Sequence, residues 1–260
     1  MSIRKAAVAG QFYEADTALL QQQVGDLMSA APSDFGSVPK ALIVPHAGYI
    51  YSGSTAARAY RCLQSQRNEI RRVVLFGPAH RVYLEGMAVP SADLFATPLG
   101  DVPLDREAID RITAMPGVCV SDQAHQDEHS LEVQLPFLQT LLTQFTLVPV
   151  VVGDCDPVTV AAVMDELWGG SDTLVVISTD LSHFLSYADA RQVDEHTCKR
   201  ILAKASSLSG EEACGARALN GLMRSEHAQA LDVELLDVCN SGDTAGGRDR
   251  VVGYGAFLLH

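Results

Sequence analysis

Ala41-Leu42-Ile43-Val44-Pro45-His46-Ala47-Gly48-Tyr49-Ile50-Tyr51-Ser52-Gly53 decides the reading of this chain. An apolar, partly β-branched run stops abruptly at Pro45-His46. Small and hydroxylated residues follow, then a helix-compatible segment over 54–63. That order predicts a buried strand, a turn that carries function and the start of a helix. The same grammar recurs: 73–76 runs into Gly77-Pro78-Ala79-His80, 147–152 into Gly153-Asp154, and 174–177 into Ser178-Thr179-Asp180-Leu181-Ser182-His183. Ligands of open α/β sheets sit outside the carboxyl ends of the strands. Strands that deliver His, His, Asp and an Asp/His pair to one rim therefore point to a metal site.

Outward from this stretch, residues 4–16 contain Ala9-Gly10-Gln11-Phe12-Tyr13, whose aromatic pair is expected to lie over the domain. Leu19, Leu20, Val24 and Leu27 recur at helical spacing and predict a helix over 17–28. A turn-rich link over 32–39 leads into the first central strand. Beyond His80, short runs at 86–90 and 94–97 with Thr97-Pro98-Leu99-Gly100-Asp101 predict a hairpin at the rim of the sheet. Residues 105–115 read as a helix with Ile109 and Ile112 inward. The longest amphipathic candidate is 128–144, with a Leu131, Leu135, Leu138, Leu141, Leu142 stripe and a bend at Pro136. Strand 146–152, helix 158–168 and strand 173–178 form a βαβ unit. Helices over 187–205 and 213–230 precede two last strands, 233–238 and 251–259. These are joined by Asn240-Ser241-Gly242-Asp243-Thr244-Ala245-Gly246-Gly247. The pattern is α/β, and without a later linker or an internal repeat it is assigned to one domain over 1–260.

Composition narrows the function. An apolar content of 47% over 260 residues supports a substantial core and argues against disorder. A net charge of −13 speaks against a nucleic-acid groove and is read as solubility. Residues 1–16 lack the apolar centre of a signal peptide, and no run approaches membrane-spanning length. Cys62, Cys119, Cys155, Cys198, Cys214 and Cys239 form no Cys-x-x-Cys pair, so neither a disulfide framework nor a zinc knuckle is expected. Reduced thiols in the cytoplasm fit best, with no nucleic acid and no membrane as partner. The Gly-rich loop lacks the lysine of a P-loop and precedes a strand, which disfavours phosphate.

A histidine after a strand is often only a hydrogen-bonded structural residue. His46 and His80 gain weight together, because their strands should be neighbours. Neutral imidazoles bind Fe, Cu and Zn, and two His with one carboxylate is the facial set of non-haem iron. Asp243, in a backbone freed by glycines, is the expected third ligand. Cys239 competes with it, although a free Cys is usually a small buried hydrophobe. Asp180 and His183 are expected to orient ligands or move protons, the plainer role of Asp180 being a cap. His125 and His129 stand four apart, as helical metal pairs do, but His-Glu-x-x-His is absent and a zincin protease is unsupported. Glu128 and His129 are expected at the pocket wall or behind the ligands. His196, His227 and His260 read as solvated.

Ala9-Gly10-Gln11-Phe12-Tyr13, Pro45-His46-Ala47-Gly48-Tyr49, Gly77-Pro78-Ala79-His80, Thr97-Pro98-Leu99-Gly100, Glu128-His129-Ser130-Leu131-Glu132, Ser178-Thr179-Asp180-Leu181-Ser182-His183 and Cys214-Gly215 occur in the order of a known family. The chain resembles bacterial and archaeal members of the Memo family, also called protein B of the AmmeMemoRadiSam system. The resemblance implies the LigB-like fold of class III extradiol dioxygenases: a three-layer α/β/α sandwich around a mixed, largely parallel sheet. It also implies metal ligands at His46, His80 and the position aligned with Asp243, with Asp180 and His183 lining the pocket. Eukaryotic members are expected to carry a Cys where this loop carries Asp243, and a carboxylate there favours Fe(II) over a copper site, with Cu or Zn as the other ions.

Three functions follow as expectations. The first is an iron-dependent oxidoreductase of the dioxygenase type. The second is a non-catalytic module that binds a peptide or protein in the same cleft, as the resemblance to eukaryotic Memo adaptors implies. The third is a zinc hydrolase with a carboxylate base. A small molecule or a peptide is the expected ligand of the cleft.

Overall fold

Apolar runs without polar alternation become the middle of the sheet, because a strand covered on both faces has no side to give to water. The computed structural model describes residues 1–32 and 36–260. The predicted turn-rich link at 32–39 falls partly on 33–35, outside the described residues.

In chain order the strands are β1 (Ile3–Arg4), β2 (Ala41–Val44), β3 (Arg72–Pro78), β4 (Met87–Val89), β5 (Leu94–Thr97), β6 (Gly100–Pro103), β7 (Val118–Val120), β8 (Thr146–Val152), β9 (Thr173–Ser178), β10 (His183–Leu185), β11 (Val233–Asn240) and β12 (Val251–Leu259). The α-helices are α1 (Thr17–Ala30), α2 (Tyr49–Arg61), α3 (Arg106–Thr113), α4 (Asp122–Gln126), α5 (Leu135–Leu141), α6 (Pro157–Leu167), α7 (Tyr187–Leu202), α8 (Ala216–Leu222) and α9 (Glu226–Gln229). The main sheet runs β10-β12-β2-β9-β3-β8-β4-β7, with β11 also paired to β12. Its centre, β2-β9-β3-β8, is parallel, whereas β12 joins β2 and β4 joins β8 antiparallel. β1, β5 and β6 form a separate small sheet.

Helices cover both faces, making a three-layer α/β/α sandwich. α1, α2 and α5 pack on one another, while α6 gathers α3, α8 and α9. Every residue of β2 and β9 is buried. Fully burying each Val, Leu or Ile contributes roughly 1.5–3 kcal/mol, so this central quartet contributes heavily to the stability of the sheet.

The expected βαβ unit forms with one difference: β9 does not lie beside β8, because β3 runs between them. That insertion places the carboxyl ends of β2, β9 and β3 side by side. Other elements depart from expectation: the helix expected over 213–230 is broken into α8 and α9, the expected hairpin β5–β6 lies in the small sheet, and two departures touch the site. α2 begins at Tyr49, directly after the His46 turn. The long helix over 128–144 is not formed: 128–131 is loop, Glu132–Gln134 is a 3-10 turn, and α5 starts at Leu135. Pro136 sits in the first turn of α5, where its missing N–H costs nothing, so it opens that helix instead of bending a longer one.

Candidate metal centre

β2 ends at Val44 and hands the chain through Pro45 to His46, which is buried at the rim. β3 ends at Pro78 and presents His80 two residues later. The third contribution comes from the loop before α5. Gly77 lets that loop press onto β3, since a Cβ there would lie 2.8 Å from both Ser130 Oγ and Leu131 Cδ2. His129 is thereby turned toward the other two rings. Ring centroids are 5.1 Å apart for His46 and His80, 5.4 Å for His46 and His129, and 4.7 Å for His80 and His129. One ligand atom from each lies within 4.8 Å of the others, the sole such trio of His, Cys, Asp or Glu among the described residues.

Each ring is held from behind. His46 Nδ1 lies 2.8 Å from Ser178 Oγ, which leaves Nε2 facing the cluster. His80 Nδ1 lies 2.9 Å from Glu128 Oε1, and the His80 amide donates to Glu128 Oε2 at 2.6 Å. Burial opposes the charge on Glu128, yet these bonds and the Ser130 amide outweigh it and hold the carboxyl at about 2. Glu128 is therefore an anion that accepts from His80 Nδ1–H and frees Nε2. His129 Nδ1 is buried and lacks a hydrogen-bond partner, lying 3.4 Å from Glu128 Oε1 without alignment.

Burial pushes His46 well below the ordinary imidazole range, and the neighbouring His80, His129 and His183 add to it. His129 falls to about 4, again chiefly through burial, with Glu128 opposing. Neutral imidazoles with free lone pairs converging on one point are what a divalent ion requires. The unsatisfied His129 nitrogen and this donor set both fit such an ion.

Asp180 follows β9 and is 4% exposed. Its Oδ1 accepts from the His46 amide at 2.8 Å, while Oδ2 is 4.0 Å from His46 Nε2. Burial raises its carboxyl to about 7, against the pull of the His46 and Ala47 amides and of His80. With His46 neutral, that 4.0 Å approach is not an ion pair. His183, half-buried on β10, is lowered by burial and feels His80. The residue after it, Phe184, has φ of 60°, a strained conformation for an aromatic residue and one of the kind that clusters at functional sites. The strand-end pair Gly153-Asp154 stands apart, with Asp154 paired to Arg217 at 2.6 Å.

Asp243 is not brought to the cluster. Its Oδ1 accepts from the Tyr187 hydroxyl at 2.6 Å and its Oδ2 from the Asn240 amide at 3.0 Å, closing a capping box on the turn Ser241–Asp243. The Gly-rich loop thus holds the Asp243 carboxylate between its own backbone and Tyr187. Cys239 likewise faces Thr55 at 3.1 Å and lines, with Asp243, a groove of about 850 Å³ between α7 and β11. The preference for Fe(II) over copper that rested on an Asp243 carboxylate loses its basis.

Cys214 carries the thiol beside the rings, its Sγ 3.3 Å from His46 Nε2. Burial, with Asp180 adding, pushes that thiol up to about 12. Gly215 makes the approach feasible, because a Cβ there would lie 2.7 Å from Thr179 Cβ and 2.8 Å from the Ser178 carbonyl. Sequence reasoning gave Cys214 no role; the Cys-Gly pair was its only local signal. His125, four positions before His129, is buried elsewhere against the Ala88 carbonyl at 2.9 Å.

A family model described as Memo-like protein matches residues 4–258. A MEMO1 family protein of Aquifex aeolicus is 35% identical over 98% of this chain and 98% of its own length. One from Archaeoglobus fulgidus is 34% identical over 99% of each. Among solved structures, the uncharacterized protein JW3007 from Escherichia coli K12 aligns with TM-score 0.47 at 11% identity, covering 84% of this chain and 99% of that one.

Proposed function

The chain belongs to the Memo family, and from that premise we propose that it is a metal-dependent oxidoreductase whose ion is held by His46, His80 and His129. The observation that carries the reading is the convergence of three imidazole ligand atoms within 4.8 Å, beside Ser178 and Glu128 as backing partners. Imidazole suits iron, zinc and copper alike, and iron(II) is the ion that the oxidoreductase reading calls for. When bound, such an ion supplies Lewis acidity and electron exchange at positions left open to a small molecule or peptide side chain.

The chain's own residues supply the rest. Ser178 and Glu128 orient His46 and His80. Asp180, poised near neutrality, holds or releases a proton at the rim. His183, kept neutral by burial, accepts one from a substrate hydroxyl. Cys214 closes the side of the site next to His46. Among the described residues no helix is long and apolar enough to cross a membrane, and all six cysteines are free, which suits a reducing compartment such as the cytoplasm.

A zinc hydrolase is the second reading, because a three-histidine set is one that makes zinc-bound water acidic. Elemental analysis of anaerobically purified protein, followed by O₂ uptake against a catechol panel, separates the two. Stoichiometric iron with O₂ uptake supports the oxidoreductase, and zinc without uptake replaces it with the hydrolase. Asp243→Asn is expected to bind the same ion with unchanged affinity in anaerobic titration. A sharp loss there would return the carboxylate to the ligand set.

A further inference from the structure

The imidazole of His46 can serve an ion through Nε2 only if its proton sits on Nδ1, and an isolated imidazole is free to place it on either nitrogen. The surroundings of Ser178 decide the matter. Ser178 Oγ has three neighbours: the Ser130 carbonyl at 2.6 Å, Gln134 Nε2 at 2.9 Å and His46 Nδ1 at 2.8 Å. A hydroxyl has one hydrogen and two lone pairs. The Ser130 carbonyl can only accept, so it takes the Ser178 hydrogen. Both remaining partners must then donate to Ser178.

Gln134 is itself fixed in the orientation this requires. Its Nε2 lies 2.9 Å from the Pro45 carbonyl, which again can only accept, while its Oε1 accepts from the Tyr60 hydroxyl at 2.8 Å. The amide therefore presents N–H, not oxygen, to Ser178. Two main-chain carbonyls, neither able to exchange its role, leave a single consistent pattern of hydrogens. Ser178, Gln134 and Tyr60 are all fully buried, so no bulk water competes for these bonds.

We infer that Ser178, backed by Gln134, is a positioning device that locks His46 in the Nδ1–H tautomer and aims its Nε2 lone pair into the cluster. The lock works against a competing pull. Nε2 lies 4.0 Å from Asp180 Oδ2, a carboxyl oxygen that would accept a proton from it, and 3.3 Å from the Cys214 thiol. Without the lock, an Nε2–H could turn to the Asp180 carboxyl and block the ion. The inference rests on the reading of His46 as a metal ligand, but the tautomer itself is a property of the metal-free protein.

The test is ¹⁵N NMR of the histidine rings in metal-free protein at mildly alkaline pH, alongside anaerobic Fe(II) titration. Wild-type His46 is expected to show a protonated Nδ1 and an unprotonated Nε2. Ser178→Ala should move His46 toward the Nε2–H form and lower Fe(II) affinity by about 10–100-fold, the usual effect of losing a partner behind a ligand. Gln134→Met should shift it less, because Ser178 keeps its Ser130 acceptor. Ser178→Thr, which retains the hydroxyl, should restore both readouts. The His80 signals, set by Glu128, should stay unchanged in every variant and report that the fold is intact. A His46 that carries its proton on Nε2 in wild type, or one unmoved by Ser178→Ala, overturns the lock. A tautomer shift in a protein that never binds metal sustains the lock and overturns the metal reading instead.

Discussion

His80→Ala is expected to abolish stoichiometric metal binding while the protein stays folded. Two effects combine. One of three converging ligands is lost, and Glu128, whose carboxylate is held in part by His80 Nδ1, is left as a buried anion beside the site. Removing only a partner behind a ligand costs about 10–100-fold in affinity, so removing the ligand itself should exceed that range. His80 is an exposed residue just past the end of β3 and outside the strand core, which is why the fold should survive. Anaerobic titration of purified wild type and variant, each checked by circular dichroism, measures the difference. Equal stoichiometry and affinity would remove His80 from the site.

The largest loss of stability is expected at Glu132→Ala. Glu132 is fully buried and pairs with Arg4. It also accepts from the amides of Ala7 at 2.7 Å and Val8 at 3.0 Å and from the Tyr13 hydroxyl at 2.5 Å. Arg4 in turn donates to the carbonyls of His125 at 3.0 Å and Glu128 at 2.7 Å. This network ties the N-terminal segment to the loop that carries His129. Breaking a buried pair by removing one partner costs about 3–5 kcal/mol, since the other charge is left unpaired. Urea unfolding should show the midpoint falling with the slope unchanged. A loss of only ~0–1 kcal/mol, the range of an exposed pair, would mean that water reaches Arg4 and that the network does not anchor the loop.

The centre of the fold was legible because its signal is local. Apolar runs at 41–44, 73–76, 147–152 and 174–177 could be little else than buried strands, and each became one. His46 and His80 were legible for the same reason, as residues at fixed offsets from those runs. Pairing order was not written in any one run, and the insertion of β9 between β2 and β3 follows only from the whole topology. His129 was read as a wall or backing residue, and its place beside the His46 and His80 rings was not legible because its leucine pattern reads as helix. The loop it occupies is stabilised by long-range partners, Glu128 with His80 and Arg4 with the Glu128 carbonyl, that spacing does not reveal. Asp243 was overvalued because glycines near a carboxylate suit a ligand loop and a self-capped turn equally well. Cys214 lies 168 positions from its neighbour His46, and its nearness depends on Gly215 passing close to the end of β9.

X-ray absorption spectroscopy of anaerobically loaded protein at the edge of the bound metal tests the three-imidazole centre most directly. The predicted spectrum has a nitrogen or oxygen shell at about 2.0–2.2 Å, with the multiple scattering of three imidazole rings, and loses one ring in His129→Ala. A wild-type spectrum with fewer than three imidazoles, whether or not a sulfur appears at about 2.3 Å, would contradict the assignment of His46, His80 and His129 as the ligand set.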